Sequence, residues 1–183
     1  DVQAKSIDEF VLDMNRSPAL RNMIHAVQRE FLNASPLRPQ ASIDERTIHN
    51  EAMKRIGLNM KKQIAESLGE WVTVNVGIAT NRFLAKYAAG FGKPDGMTLL
   101  DSKNLHKYYK CGVDHDCGKT GDGCKQMHLV DLPGINVRYR ARLRTAGIYS
   151  PLDFLAADLR TLKKQVFKSI NGYHWYMRLR GHE

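Results

Sequence analysis

The sequence predicts an α/β protein, a short sheet covered by helices, joined to a small all-α unit at its C-terminal end. Three observations predict it. Trp71-Val72-Thr73-Val74-Asn75-Val76-Gly77-Ile78-Ala79 is a short, β-branched, apolar run that leads straight into a capping candidate, as a buried strand feeding a helix does. The opening stretch alternates with the two-residue period of a strand. Residues 130–183 carry ten Lys and Arg against four Asp and Glu, +6 on 54 residues, around an apolar skeleton at helical spacing. With 183 residues, 43% hydrophobic and 26% charged, the chain has material for one full domain or one plus a satellite, which excludes wholesale disorder. No apolar run approaches the ~20 residues of a spanning helix, and the start, Asp1-Val2-Gln3-Ala4-Lys5, lacks the blocks of a signal peptide, so no membrane partner is expected. A net charge of +9 favours a polyanionic partner.

In chain order, Ile7, Glu9, Val11 and Asp13 share one side of an extended segment over residues 5–14, and Ser6, Asp8, Phe10 and Leu12 the other. Ser17-Pro18 opens a helix over about residues 18–31, with Leu20, Met23, Ile24, Val27 and Phe31 down one face. Residues 33–46 hold two prolines and no period, hence a loop. A longer helix follows, carrying Ile48, Ala52, Ile56, Met60, Ile64 and Leu68 and stopped by Gly69. After the strand over 71–79 comes a helix over 82–89, capped by Thr80 or Asn81. Gly90-Phe91-Gly92-Lys93-Pro94-Asp95-Gly96 is turn chemistry, and Met97-Thr98-Leu99-Leu100 is a further short strand. Residues 111–124, rich in Gly and Asp, have almost nothing to bury and read as an inserted surface loop. The expected division is therefore 1–110, an inserted loop at 111–128, and a helical unit at 129–183.

Two groups of residues suggest chemistry. Asp8 and Glu9 are adjacent carboxylates in apolar surroundings, costly unless a cation offsets them, and oxygen-only ligation suits Mg2+. Leu132-Pro133-Gly134-Ile135-Asn136, then residues 138–146 and Gly147, has the form of a helix-hairpin-helix, whose turn brings backbone N–H groups to a phosphate. Arg138 and Arg142 share one face of the short helix, Arg140 and Arg144 another. Cys111, Cys117, Cys124, His115 and His128 supply enough ligands for zinc, but their spacings are not the short pairs that make such a site strong, so zinc is the lesser reading. Three cysteines without a secretion signal favour reduced thiols in a cytosol.

The assembled pattern resembles the Y-family, translesion DNA polymerases of the DinB or polymerase IV type. Ser6-Ile7-Asp8-Glu9-Phe10-Val11-Leu12-Asp13 is similar to their palm signature, and Val76-Gly77-Ile78-Ala79-Thr80-Asn81-Arg82-Phe83-Leu84-Ala85-Lys86 to a later strand–helix segment. Gly92-Lys93-Pro94-Asp95-Gly96 is similar to their Lys-Pro-Asn/Asp-Gly turn, and residues 131–148 to the thumb hairpin. The resemblance implies a partial palm over 1–110 and a helix-hairpin-helix thumb over 129–183. It further implies that Asp8 and Glu9 hold two Mg2+ ions, that Lys93 reaches the triphosphate of a deoxynucleoside triphosphate, and that Gly134, Ile135 and Asn136, with Arg138 and Arg142, meet primer–template DNA. Lys86 is a weaker DNA or phosphate contact. A cytoplasmic, nucleoid-associated setting follows, with a sliding clamp left open as a partner of the complete protein.

The departures set further expectations. The family pattern has an earlier palm Asp and a fingers region, and this sequence begins after both, so the chain is expected to be a fragment that does not polymerise alone. Asn136 stands where the family has a second hairpin Gly, and Asn tolerates left-handed backbone. Helix 18–31 with its loop, and the Cys-containing loop, look like insertions. The rival readings are a non-catalytic helix-hairpin-helix DNA-binding module and a zinc-stabilised interaction protein built on residues 111–128.

Overall fold

The structure is a computed structural model that describes residues 2–6, 9–34, 44–108 and 128–182. It is mostly helical. Strand β1 (Val2–Ser6) pairs antiparallel with β2 (Glu9–Leu12), Val2 opposite Leu12 and Ala4 opposite Phe10, with the register shifting between Ala4 and Ser6. The single strand expected over 5–14 is thus two. Side-chain alternation marks extended backbone but carries no sign of a reversal in direction, because it has the same period on either side of a turn.

Helices α1 (Pro18–Ala34) and α2 (Glu45–Leu68) pack together through Leu20 and Val27 against Ile48 and Ala52, a small core of their own. Arg55 on α2 ties the pair at its surface, donating to Glu30 at 2.8 Å and Glu51 at 3.0 Å, contacts that raise the guanidinium's proton affinity. Asp44 caps α2 by accepting from the Arg46 N–H.

Next comes a β–α–β unit. Strand β3 (Val76–Ile78) runs parallel to β4 (Met97–Leu99), with α3 (Arg82–Ala89) crossing between them. The strand expected over 71–79 therefore forms only at its end, and Trp71 stands 97% exposed. β-Branched residues favour extended backbone, but a strand is as long as its partner, and β4 has three residues. Gly77 sets how closely the layers approach. A Cβ there would lie 1.9 Å from the Ala85 carbonyl oxygen, so α3 rests directly on the strand's backbone.

One continuous core runs from α3 into the C-terminal helices. After α4 (Leu105–Tyr108) and a 3-10 turn at Leu129–Asp131 come α5 (Val137–Thr145), α6 (Pro151–Ala156), α7 (Leu159–Thr161), a π-helical turn at Leu162–Val166, and α8 (Asn171–Leu179). Phe83 and Leu84 of α3 join Leu132, Leu143, Phe154, Leu162 and Trp175 in this core. Phe83 meets Trp175 edge-on at 5.2 Å, and Trp175 stacks on Phe167 at 5.9 Å. Ser150 and Asp153 close a reciprocal cap on α6, the Ser-x-x-acid signature that starts a helix. Arg180 lies over the Tyr176 ring at 3.6 Å and donates to the Leu155 and Ala157 carbonyls, so this arginine of the basic C-terminal unit is spent on packing.

Candidate catalytic and nucleic-acid-binding site

Of the two carboxylates, Asp8 lies outside the described residues, while Glu9 opens β2. The Glu9 side chain is 33% exposed, and Lys86 Nζ donates to its Oε2 at 2.8 Å. Lys86 is the basic residue of the last turn of α3, where a cation also complements the helix's C-terminal dipole. Two residues that sequence reasoning assigned to metal and to DNA are therefore paired with each other. Glu9 supplies the hard oxygen donor that Mg2+ prefers, but among the described residues no group of three or more His, Cys, Asp or Glu side chains converges on one point. The described donors thus fall short of an ion's protein ligand set. Cys111, His115, Cys117 and Cys124 likewise lie outside the described residues. His128 starts the 3-10 turn, its N–H donating to Asp131 Oδ2 at 2.6 Å.

Lys93 is exposed on the turn between α3 and β4, and that turn is held from three sides. Lys61 of α2 reaches Asp95 Oδ1 at 2.9 Å and also donates to the Asp95 carbonyl. The Val74 N–H donates to Asp95 Oδ1, and the Gly96 N–H to Asn75 Oδ1 at 2.8 Å. Lys61 keeps only 15% of its side chain exposed, so its charge is committed to fixing the Lys93 turn. Sequence reasoning missed Lys61, which is 34 residues from its partner and carries no local motif. Lys61 and the Val74 N–H hold the Asp95 carboxyl below the usual carboxylate range. A depressed carboxyl stabilises the fold above its unfolded value of about 4, and this contribution is lost as pH falls through the lower folded value. In urea titrations from pH 7 to pH 3, Lys61→Met should therefore unfold more readily than the wild type at neutral pH, and the gap should close below about pH 4. A gap that stays constant over the whole range would detach Asp95 from Lys61.

The 132–136 turn leads into α5. Gly134, at φ +91°, has the left-handed backbone that glycine adopts without strain, and Trp175 lies 3.5 Å from where its Cβ would be. Ile135 is buried and its N–H donates to the Leu132 carbonyl at 2.9 Å, so that group closes the turn and is not available to a phosphate. Asn136 caps α5, its Oδ1 accepting from the Tyr139 N–H at 2.9 Å. The N–H groups of Gly134, Asn136, Val137 and Arg138 have no acceptor among the described residues. Arg138 and Arg142 are exposed, and Arg142 lies 5.8 Å from the centre of the Tyr139 ring. Asn81, which the sequence offered only as a cap, does more. Its Oδ1 accepts from Leu84 N–H, and its Nδ2 donates to the Arg178 carbonyl at 2.9 Å and the His182 carbonyl at 3.0 Å, tying α3 to the end of α8.

Residues 1–90 match the model of the impB/mucB/samB family. A DNA polymerase IV of Treponema denticola is 29% identical over 159 residues, covering 82% of this chain and 35% of that protein. In sequence the chain is similar to proteins named DNA polymerase IV. A DNA polymerase IV of Saccharolobus solfataricus is 24% identical, covering 82% of this chain and 38% of its own length. Among solved structures, an insertion ternary complex of Dbh DNA polymerase superposes with a TM-score of 0.51 at 20% identity, covering 90% of this chain and 45% of that one. A DinB-family error-prone DNA polymerase from Sulfolobus solfataricus does so with a TM-score of 0.51 at 19% identity, covering 90% of this chain and 46% of that one. At these identities the superpositions establish a shared fold. The chain spans little more than a third of the length of these curated relatives. Among the described residues, no helix is long and apolar enough to cross a membrane.

Proposed function

We propose that this chain serves template-directed DNA synthesis of the lesion-tolerant, Y-family kind, as a partial palm over 1–110 and a helix-hairpin-helix thumb over 129–183, with 111–128 an insertion between them. The observation that carries the proposal is the reach of the likeness to DNA polymerase IV, which covers 82% of the chain and so extends well past residues 1–90 into the basic helical part. Asp8 and Glu9 are the carboxylates of the reaction centre. Asp8 and Glu9 are the residues that would hold Mg2+, and such an ion would lower the cost of deprotonating a primer 3′-hydroxyl and of gathering charge on the transferred phosphoryl group. Lys93, on a turn braced by Lys61, presents its ammonium to the triphosphate of a deoxynucleoside triphosphate. The thumb contact falls to the N–H groups of Gly134, Asn136, Val137 and Arg138, with the Arg138 and Arg142 side chains beside them. Ile135 acts by closing the turn. In this reading the protein works in the cytoplasm, at the nucleoid. Zinc at Cys111, Cys117, Cys124 and His128 stays a minor alternative, tested by metal analysis after dialysis.

Binding to a primer–template duplex, followed by fluorescence anisotropy over a salt series, tests the thumb. Affinity should fall steeply with salt, because each neutralised phosphate releases counterions. Arg138→Ala with Arg142→Ala should lower the log–log salt slope by about two, nearly one for each lost phosphate contact. Salt-independent or absent binding sinks the thumb assignment. A non-catalytic DNA-binding module is the second reading, favoured by the Glu9–Lys86 ion pair, which already satisfies the carboxylate without a metal. Primer extension by the complete protein separates the two, since Lys93→Ala lowers nucleotide use only in a polymerase.

A further inference from the structure

We infer that the outer face of α1 is a second contact for the phosphate backbone of DNA, separate from the thumb turn, with Arg21, His25 and Arg29 as its donors. The inference rests on the proposed reading of the chain as a DNA-contacting protein, and it gives a surface to an element that the reading leaves without a task. α1 packs on α2 through Leu20 and Val27, in a small core distinct from the one that joins α3 to the C-terminal helices. Its outer face is therefore not needed to hold the main fold. Arg21, His25 and Arg29 are four residues apart, so they lie one above the other along the helix, and all three are exposed. From Arg21 to Arg29 the line covers about 12 Å of helix axis, the axial length of about three to four nucleotides in one strand of a duplex.

The line carries no acid to offset it. Glu30, the one acid of α1, is turned to α2, where it accepts from Arg55 at 2.8 Å. Among the described residues no ion pair involves Arg21, His25 or Arg29, and Arg29 spends only its Nε on the His25 carbonyl, at 3.4 Å. Ahead of the helix, exposed Arg16 extends the positive field, while Asp13 accepts from the Asn15 N–H. Guanidinium forks match phosphate oxygens in shape as well as charge, and such contacts add affinity and salt dependence without reading bases. The apolar face that an interfacial helix would sink into a lipid surface is already buried on α2. What α1 offers is a polar, cationic edge, and its complement is a line of phosphates.

Anisotropy of a labelled primer–template duplex over a salt series, on the 183-residue chain, tests this without any assay of polymerisation. Arg21→Gln with Arg29→Gln keeps good helix formers in place and should lower the log–log salt slope by about two, in addition to the loss from the Arg138 and Arg142 changes. Arg21→Lys with Arg29→Lys keeps both charges and should leave the slope near the wild-type value. Lys54→Gln with Lys62→Gln removes the same charge from exposed positions of α2, and it too should leave the slope near the wild-type value. An equal loss in the α1 and α2 pairs would mean that only net charge is sensed, which overturns the inference. A slope that falls for the thumb variant and not for the α1 variant overturns it as well, and leaves the thumb reading standing. A slope that falls for the α1 variant alone upholds the inference and sinks the thumb contact. Absence of salt-dependent binding in the wild type overturns both.

Discussion

Replacing Asn81 with alanine is expected to destabilise the protein by about 2–4 kcal/mol, because one buried side chain serves three backbone groups. Loss of the cap alone, the Oδ1 contact with the Leu84 N–H, costs about 1 kcal/mol at a helix start. The amide also donates to the Arg178 and His182 carbonyls, which terminate α8, and acceptors left unsatisfied at a largely buried position add about 1–3 kcal/mol. Asn81→Asp separates the two contributions. Aspartate caps as well as asparagine but donates nothing, and its charge faces two carbonyl oxygens. Urea unfolding should therefore place Asn81→Asp close to Asn81→Ala, well below the wild type. An aspartate variant as stable as the wild type would mean that only the cap matters and that α8 is held to α3 by Phe83 and Trp175 alone.

The same residue shows where sequence reading stops. Asn81 was legible as a cap because the signal is local: a short polar side chain directly before an apolar helix. Its bonds to residues 178 and 182 were not legible, because no pattern within a window of the chain encodes a partner 97 residues away. The elements divide in the same way. α1, α2, α3 and α5 follow from periodicity and from Ser, Asn and Gly at their ends, and the observed bounds of α1, α3 and α5 fall close to the expected ones, while the Asp44 cap that starts α2 was not singled out. The β-strands follow less well. Whether residues 71–75 join a strand depends on whether β4 is long enough to pair with them, and the two-strand arrangement of residues 2–12 depends on a reversal that leaves alternation unchanged. At the site, residue identity was legible and residue state was not. Glu9 and Lys86 were singled out separately for metal and for DNA, and only the fold brings them to 2.8 Å. Lys61 carried no signal at all, since a lysine on a long helix is usually solvated, and its role emerges only from the position of the Asp95 turn.

Gly77→Ala is expected to be the most damaging single methyl in the described part of the chain. Its Cβ would come within 1.9 Å of the Ala85 carbonyl oxygen and 2.4 Å of the Ala89 nitrogen, both backbone atoms of α3. No rotamer change relieves a clash with backbone, so either α3 lifts from β3 or β3 leaves its pairing with β4. Overpacking costs typically run to about 3 kcal/mol, and this contact belongs at or above that limit because α3 also carries Phe83 into the core and Lys86 to Glu9. Gly57→Ala is the matched control on α2. Its Cβ would meet the Met97 sulfur at 3.0 Å and the Val76 Cγ1 at 3.3 Å, side-chain atoms of which the first is flexible, and alanine gains helix propensity over glycine by about 1 kcal/mol. Tryptophan fluorescence during urea unfolding reports on Trp175, which packs against Phe83 of α3. Gly57→Ala should keep a cooperative transition near the wild-type midpoint, whereas Gly77→Ala should lose most of its native baseline. Equal midpoints for the two variants would mean that α3 does not rest on the β3 backbone, and the support for both the Glu9–Lys86 pair and the Asn81 tether would go with it.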